Sequence, residues 1–183
     1  MHRSLGAGIS VVTTGLLLLA TGCDVSDRDP APSPTSSVEA RDQLNALPSL
    51  EETQAQIVAV IDEIKATASA QQAGLSWQSL HGETRGNCEG PFANTDGKRL
   101  FLPDAVASAQ LSDTQWAAVL ETARQSAARL GATDEQVMQD SPGHHDVWFT
   151  GPAGLSVKVA YKGNLVISGF TGCRLPEEKR TAT

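Results

Sequence analysis

The sequence predicts a two-layer α+β sandwich: an antiparallel sheet of about five strands with two helices on one face, in the order α-β-β-α-β-β-β. Three observations carry this. Two stretches, one after Ser49 and one after Ser112, open with capping boxes and continue with apolar residues at helical spacing. The region after residue 136 alternates apolar and polar residues and is cut by tight turns. Those turns are too short for a crossover, so the strands they join pair antiparallel.

The first helix is expected from Leu50, with Ser49 and Glu52 as its capping box. Leu50, Ile57, Val60, Ile61, Ile64 and Ala68 fall on one face. Leu75 to Leu80 reads as a short half-buried strand, with Leu75, Trp77 and Ser79 on one side. Residues 81–97 read as a glycine-rich loop containing Cys88. Lys98 to Leu102 reads as a second strand, stopped by Pro103. The second helix is capped by Ser112 and Gln115 and stapled by Leu111 against Trp116. Its stripe is Trp116, Val119, Leu120, Ala123, Ala127 and Leu130, and Gly131 ends it. Gln136–Met138 is a weak strand signal; His145–Thr150, Leu155–Tyr161 and Leu165–Gly169 are stronger.

Ahead of this domain the chain reads as an address. Met1-His2-Arg3 is a short basic start, and an apolar run peaks at Leu16–Leu19 before Ala20-Thr21-Gly22-Cys23. A spanning helix needs about 20 apolar residues; this run is shorter and carries Thr13, Thr14 and Gly15, so cleavage is preferred to a transmembrane anchor. Leu19 to Cys23 resembles the lipobox of bacterial lipoproteins, with Ala20 standing where leucine is commonest. The resemblance implies that Cys23 takes diacylglycerol on its thiol, that acyl chains of the palmitate kind anchor it, and that residues 1–22 are removed. An ordinary secretory site with a free Cys23 is the alternative. Two or more acyl chains would hold the protein firmly on the outer face of the cytoplasmic membrane. Residues 23–46 are rich in Pro, Ser and Asp and read as a disordered tether. The compact domain is expected over 47–175, with a tail at 176–183.

Charge narrows the partners. The formal net charge is −7, with 14 Lys+Arg against 21 Asp+Glu, and loss of Arg3 with the leader takes it to −8. An acidic chain is repelled by phosphate backbones, so no nucleic acid is expected. Once Cys23 is assigned to lipid, Cys88 and Cys173 remain in an exported domain and are expected to form one disulfide. The rival, a redox pair, lacks a C-x-x-C arrangement.

Together the lipobox cysteine, the Pro/Ser tether, the Trp77 strand, Cys88, the capped helix ending Gly131-Ala132-Thr133, the β-meander and Phe170-Thr171-Gly172-Cys173 resemble the LppA-type lipoproteins of actinobacteria. The resemblance spans roughly residues 40–175 and implies an envelope lipoprotein with paired cysteines at Cys88 and Cys173. It carries no catalytic motif.

No chemistry declares itself elsewhere. His144-His145-Asp146 is the most suggestive cluster for a metal, with His81 and Glu83 as further donors. Adjacent strand residues point to opposite faces, however, so His144 and His145 would not share an ion. There is no G-x-S-x-G, no P-loop and no dinucleotide-binding glycine run. Ser156 and Ser168 fall on strands and read as structural. Glu51-Glu52 sits at a helix start and Glu177-Glu178 in the tail, so no glycosidase pair is indicated. Trp148 is predicted to face away from Val147 and Phe149, on the outer sheet face beside Lys158, as a binding surface; coverage by the 81–97 loop is the alternative. The expectation is therefore a membrane-anchored, non-enzymatic module without cofactor, binding an envelope protein or a small apolar ligand. The competing expectation is an envelope hydrolase or metal enzyme using His81, His144, His145 and Asp146.

Overall fold

The computed structural model describes residues 33–181. The leader, Cys23 and residues 24–32 of the tether lie outside the described residues. Among those described, eight strands form one antiparallel sheet accompanied by three α-helices. The mixed α+β class and antiparallel pairing are as the sequence predicts, with more strands and one more helix.

The extra helix, α1 (Ser37–Asn45), corrects the tether. Ser36 caps it by accepting from the Glu39 N–H, and Ala40 and Leu44 are buried. Nine residues are marginal as an isolated helix. What holds this one is Leu44, which packs with Cys88, Cys173 and Leu175. Two apolar positions four apart make too short a stripe to read as periodicity, so the sequence shows only its polar composition.

Helix α2 (Leu50–Gln71) carries the expected Ser49/Glu52 capping box and buries the expected stripe, with Thr53 added to it. Helix α3 (Asp113–Arg129) carries the Ser112/Gln115 box. The strands are β1 (Gln78–Leu80), β2 (Thr84–Asn87), β3 (Lys98–Phe101), β4 (Asp104–Ser108), β5 (Asp134–Ser141), β6 (His144–Thr150), β7 (Ser156–Tyr161) and β8 (Asn164–Phe170). Their order is β1-β4-β8-β7-β6-β5, with β3 also beside β8 and β2 beside β3. Residues 98–108 thus run along β8 as one line, interrupted at Pro103, which has no N–H to donate.

Strands β2 and β4 and most of β5 escape the sequence reading for separate reasons. β2 is Thr-Arg-Gly-Asn, with no apolar residue. β4 buries only Ala105 and Ala107, whose small side chains give a weak alternation. β5 is a sheet edge whose first five residues are all exposed, so neither face selects apolar residues.

α2 packs over β3 and β8, and α3 over β6 and β7, in one apolar core. Val147, Phe149, Val157, Val159, Leu165 and Ile167 point into it. Gly169 lets α2 come close, since a Cβ there would sit 2.3 Å from Ile57 Cγ2.

After β8 the chain does not leave the fold. Residues 171–176 are all buried and tie its parts together. Thr171 Oγ1 accepts from the Leu100 N–H at 2.9 Å, and the Leu175 carbonyl accepts from the N–H that opens α2 at 2.9 Å. The residues expected as a tail continue this docking: the Glu177 N–H donates to Glu51, and Arg180 pairs with Glu52 at 3.3 Å.

Arg174 is the largest fully buried side chain. Its Nε donates to Thr53 Oγ1 at 3.2 Å, and its Nη1 to the carbonyls of Pro152 and Cys173 at 3.2 and 2.7 Å. No carboxylate pairs with it among the described residues, and burial pushes its pKa down to about 10. The folded state therefore holds this proton less tightly than the unfolded chain. The buried charge costs stability at neutral pH. Arg174→Met keeps most of the volume and removes the charge but leaves the Pro152 and Cys173 carbonyls without this donor, and is expected to cost about 1–3 kcal/mol. Arg174→Ala adds a cavity to the same unpaired carbonyls and is expected to cost about 3 kcal/mol or more. Urea unfolding of both variants measures the difference.

Candidate functional site

Both long helices lie on one face of the sheet; the other face is where candidate chemistry collects. β6, β7 and β8 alternate, so every residue flanking a core position projects from this second face. Register sets Trp148 beside Lys158 and Lys158 beside Ser168, while Ser168 hydroxyl donates to Asp104 Oδ1 at 2.5 Å. One row across four strands thus reads Trp148, Lys158, Ser168, Asp104. In the next row Phe170 pairs with Phe101, their rings stacked with centroids 4.2 Å apart. A groove of about 280 Å³ opens over these six residues, with His81 and Thr84 on its rim.

Lys158 Nζ lies 5.1 Å from the centre of the Trp148 ring and 3.0 Å from Asp146 Oδ2. Its charge is thus answered by a carboxylate and by an aromatic face. Asp146 Oδ1 is buried with no hydrogen-bond partner among the described residues. Trp148 is half-buried, so the 81–97 segment does not cover it fully; His81, Gly82 and Thr84 border the groove.

The histidine cluster is divided. His145 is 7% exposed and faces the helices, stacked on Trp116 at 4.6 Å with Tyr161 beyond. Its Nδ1 lies 2.8 Å from Asp140 Oδ1. His144 and Asp146 alternate with it and project from the other face. Glu83 accepts from Gln54 at 2.6 Å. The residues His81, Glu83, His144, His145 and Asp146 are therefore not brought together. Among the described residues no three His, Cys, Asp or Glu side chains converge as metal ligands.

The expected disulfide is present: Cys88 and Cys173 are bonded, with Cα atoms 5.5 Å apart. It joins the segment after β2 to the buried stretch after β8, against Leu44 of α1.

Residues 26–177 match the family model LppA, described as a lipoprotein confined to pathogenic Mycobacterium. The chain belongs to the LppA lipoprotein family. Among solved structures it is similar to the LppA lipoprotein of Mycobacterium tuberculosis, at 16% identity and TM-score 0.60, over 80% of this chain and 89% of that one. That likeness shows a shared fold. A DUF4853 family protein from Actinomyces odontolyticus aligns over 81% of this chain and 75% of its own, at 15% identity and TM-score 0.47, and no argument rests on it. No curated protein matches the chain. LppA membership implies a cell-envelope lipoprotein.

In this LppA-family chain, Trp148 and Lys158 stand where alternation on the sequence predicts, side by side on the outer face. Asp104, Phe101 and Phe170 are the additions. Alternation around Ile167 and Gly169 is enough to turn Ser168 and Phe170 outward. Asp104 joins them only because β4 runs beside β8, a pairing that depends on strand order.

Proposed function

We propose that this protein is a lipid-anchored, non-enzymatic binding domain displayed on the outer face of the cytoplasmic membrane. Its working surface is the sheet face opposite the helices, and its partner is a small, largely apolar ligand. The observation that supports this reading is the groove floored by Trp148, Lys158, Phe101 and Phe170, lined by no helix among the described residues. A concave site with aromatic walls and a few placed polar groups is the usual form of a small-molecule site. Anchoring through diacylglycerol on Cys23, after removal of residues 1–22, rests on the lipobox resemblance and on family membership. Among the described residues the fold begins with α1 at Ser37.

The reading is tested on protein recovered from the membrane fraction. The native chain is expected to sediment with membranes and Cys23→Ala to be released or left unprocessed. A compound extracted from the native chain, and lost from Trp148→Ala, supports the groove. A folded native chain that yields no compound and binds no envelope component overturns it.

A further inference from the structure

We propose that the groove selects an organic cation: an ammonium group on an apolar stem, with the ammonium held by Asp104 and the stem between Trp148 and the stacked Phe101–Phe170 pair. This deepens the binding reading and rests on it. The argument is a balance of charge within one cavity. Two ionised side chains line the groove, Lys158 and Asp104. Lys158 already has a carboxylate 3.0 Å away in Asp146. Asp104 has no cationic partner among the described residues; its carboxylate accepts from the Ser168 hydroxyl. β8 lies between β4 and β7, so the Asp104 and Lys158 backbones are about 10 Å apart, two strand spacings. The near field at Asp104 is therefore negative.

The walls favour the same sign. Aromatic faces attract cations, and this sheet face already does so twice: Lys158 over Trp148 at 5.1 Å, and Arg99 over Phe101 at 5.7 Å. Phe170 carries no cation of the protein's own among the described residues. Asp104 near the Phe170 ring pairs an ammonium while the aromatic walls shelter its apolar stem, and a charge-assisted bond is about twice as strong as a neutral one. An anionic ligand would have to compete with Asp146 for Lys158. The volume, about 280 Å³, is at the small end for ligand sites and suits one ring or the end of a chain.

The test titrates the full chain at neutral pH with three probes of one shape: benzylammonium, benzyl alcohol and benzoate. Benzylammonium is expected to bind at least about tenfold more tightly than benzyl alcohol. That margin is expected to vanish in Asp104→Asn, which keeps the size of the side chain and its bond to Ser168. Lys158→Met, which leaves Asp146 unanswered, is expected to tighten benzylammonium. Equal binding of the alcohol, preference for benzoate, an unchanged margin in Asp104→Asn, or weaker binding in Lys158→Met each overturns the cation and leaves the groove as a binding site. Failure of all three probes to bind the folded chain overturns the groove with it.

Discussion

Replacing Cys88 and Cys173 together by alanine is expected to lower the unfolding free energy by about 4.5 kcal/mol. The two residues are 85 apart in sequence, and closing a loop of that size removes this much chain entropy from the unfolded state. The loss is large against the 5–15 kcal/mol that an ordinary domain has in total. The native side adds to it. The bridge lies under Leu44 and Leu175, and the Cβ of any residue but glycine at position 97 would sit 2.6 Å from Cys173 Sγ. Helix α1 docks on this cluster, so it should loosen first when the bridge is absent. Urea unfolding of the double variant measures the loss, and amide exchange over residues 37–45 locates it. A change below about 1 kcal/mol would show that the bridge constrains little.

The second large effect is expected at Gly172. Its φ is +63°, in the left-handed region, where a side chain costs roughly 1–2 kcal/mol. A Cβ there would also sit 2.3 Å from the Leu155 nitrogen and 2.5 Å from the Ala153 carbonyl oxygen. Both neighbours are backbone and cannot rotate aside. Gly172→Ala is therefore expected to cost more than about 3 kcal/mol. Gly163 is the control: its φ is +70°, but the space around its would-be Cβ is open. Gly163→Ala should show the backbone penalty alone, about 1–2 kcal/mol. Thermal unfolding of the two variants separates close approach from backbone conformation. Equal losses would mean that the 153–155 turn yields readily.

These two sites show where the sequence is informative. Ser49 with Glu52 and Ser112 with Gln115 are local signals, and both capping boxes form. The β6–β7–β8 meander follows from alternation and short turns, and with it the outward placement of Trp148 and Lys158. What fails to show is what depends on distant pairing. Helix α1 exists because Leu44 meets the disulfide cluster. β2 exists because Arg85 and Gly86 pair with Leu100 and Arg99. The stretch from Thr171 to Pro176 looks like the end of a strand and a tail, yet it is buried against three parts of the fold. Asp104 enters the groove through the β4–β8 pairing, and no local pattern carries that. His145 shows the converse: a prominent cluster in the sequence resolves into one ring packed on Trp116 and two residues on the other face.

The central claim is that the sheet face opposite the helices is the ligand surface. The chain's three tryptophans supply reporters in three places: Trp148 on the groove, Trp116 of α3 buried at 5% exposure, and Trp77 beside Lys65 and Ser69. Fluorine NMR of the chain labelled with 5-fluorotryptophan, titrated with an extract of envelope small molecules, reads all three at once. The account predicts that the Trp148 resonance shifts while those of Trp116 and Trp77 stay in place. A bound component that moves Trp77 alone, or an extract that leaves all three unmoved, would contradict it.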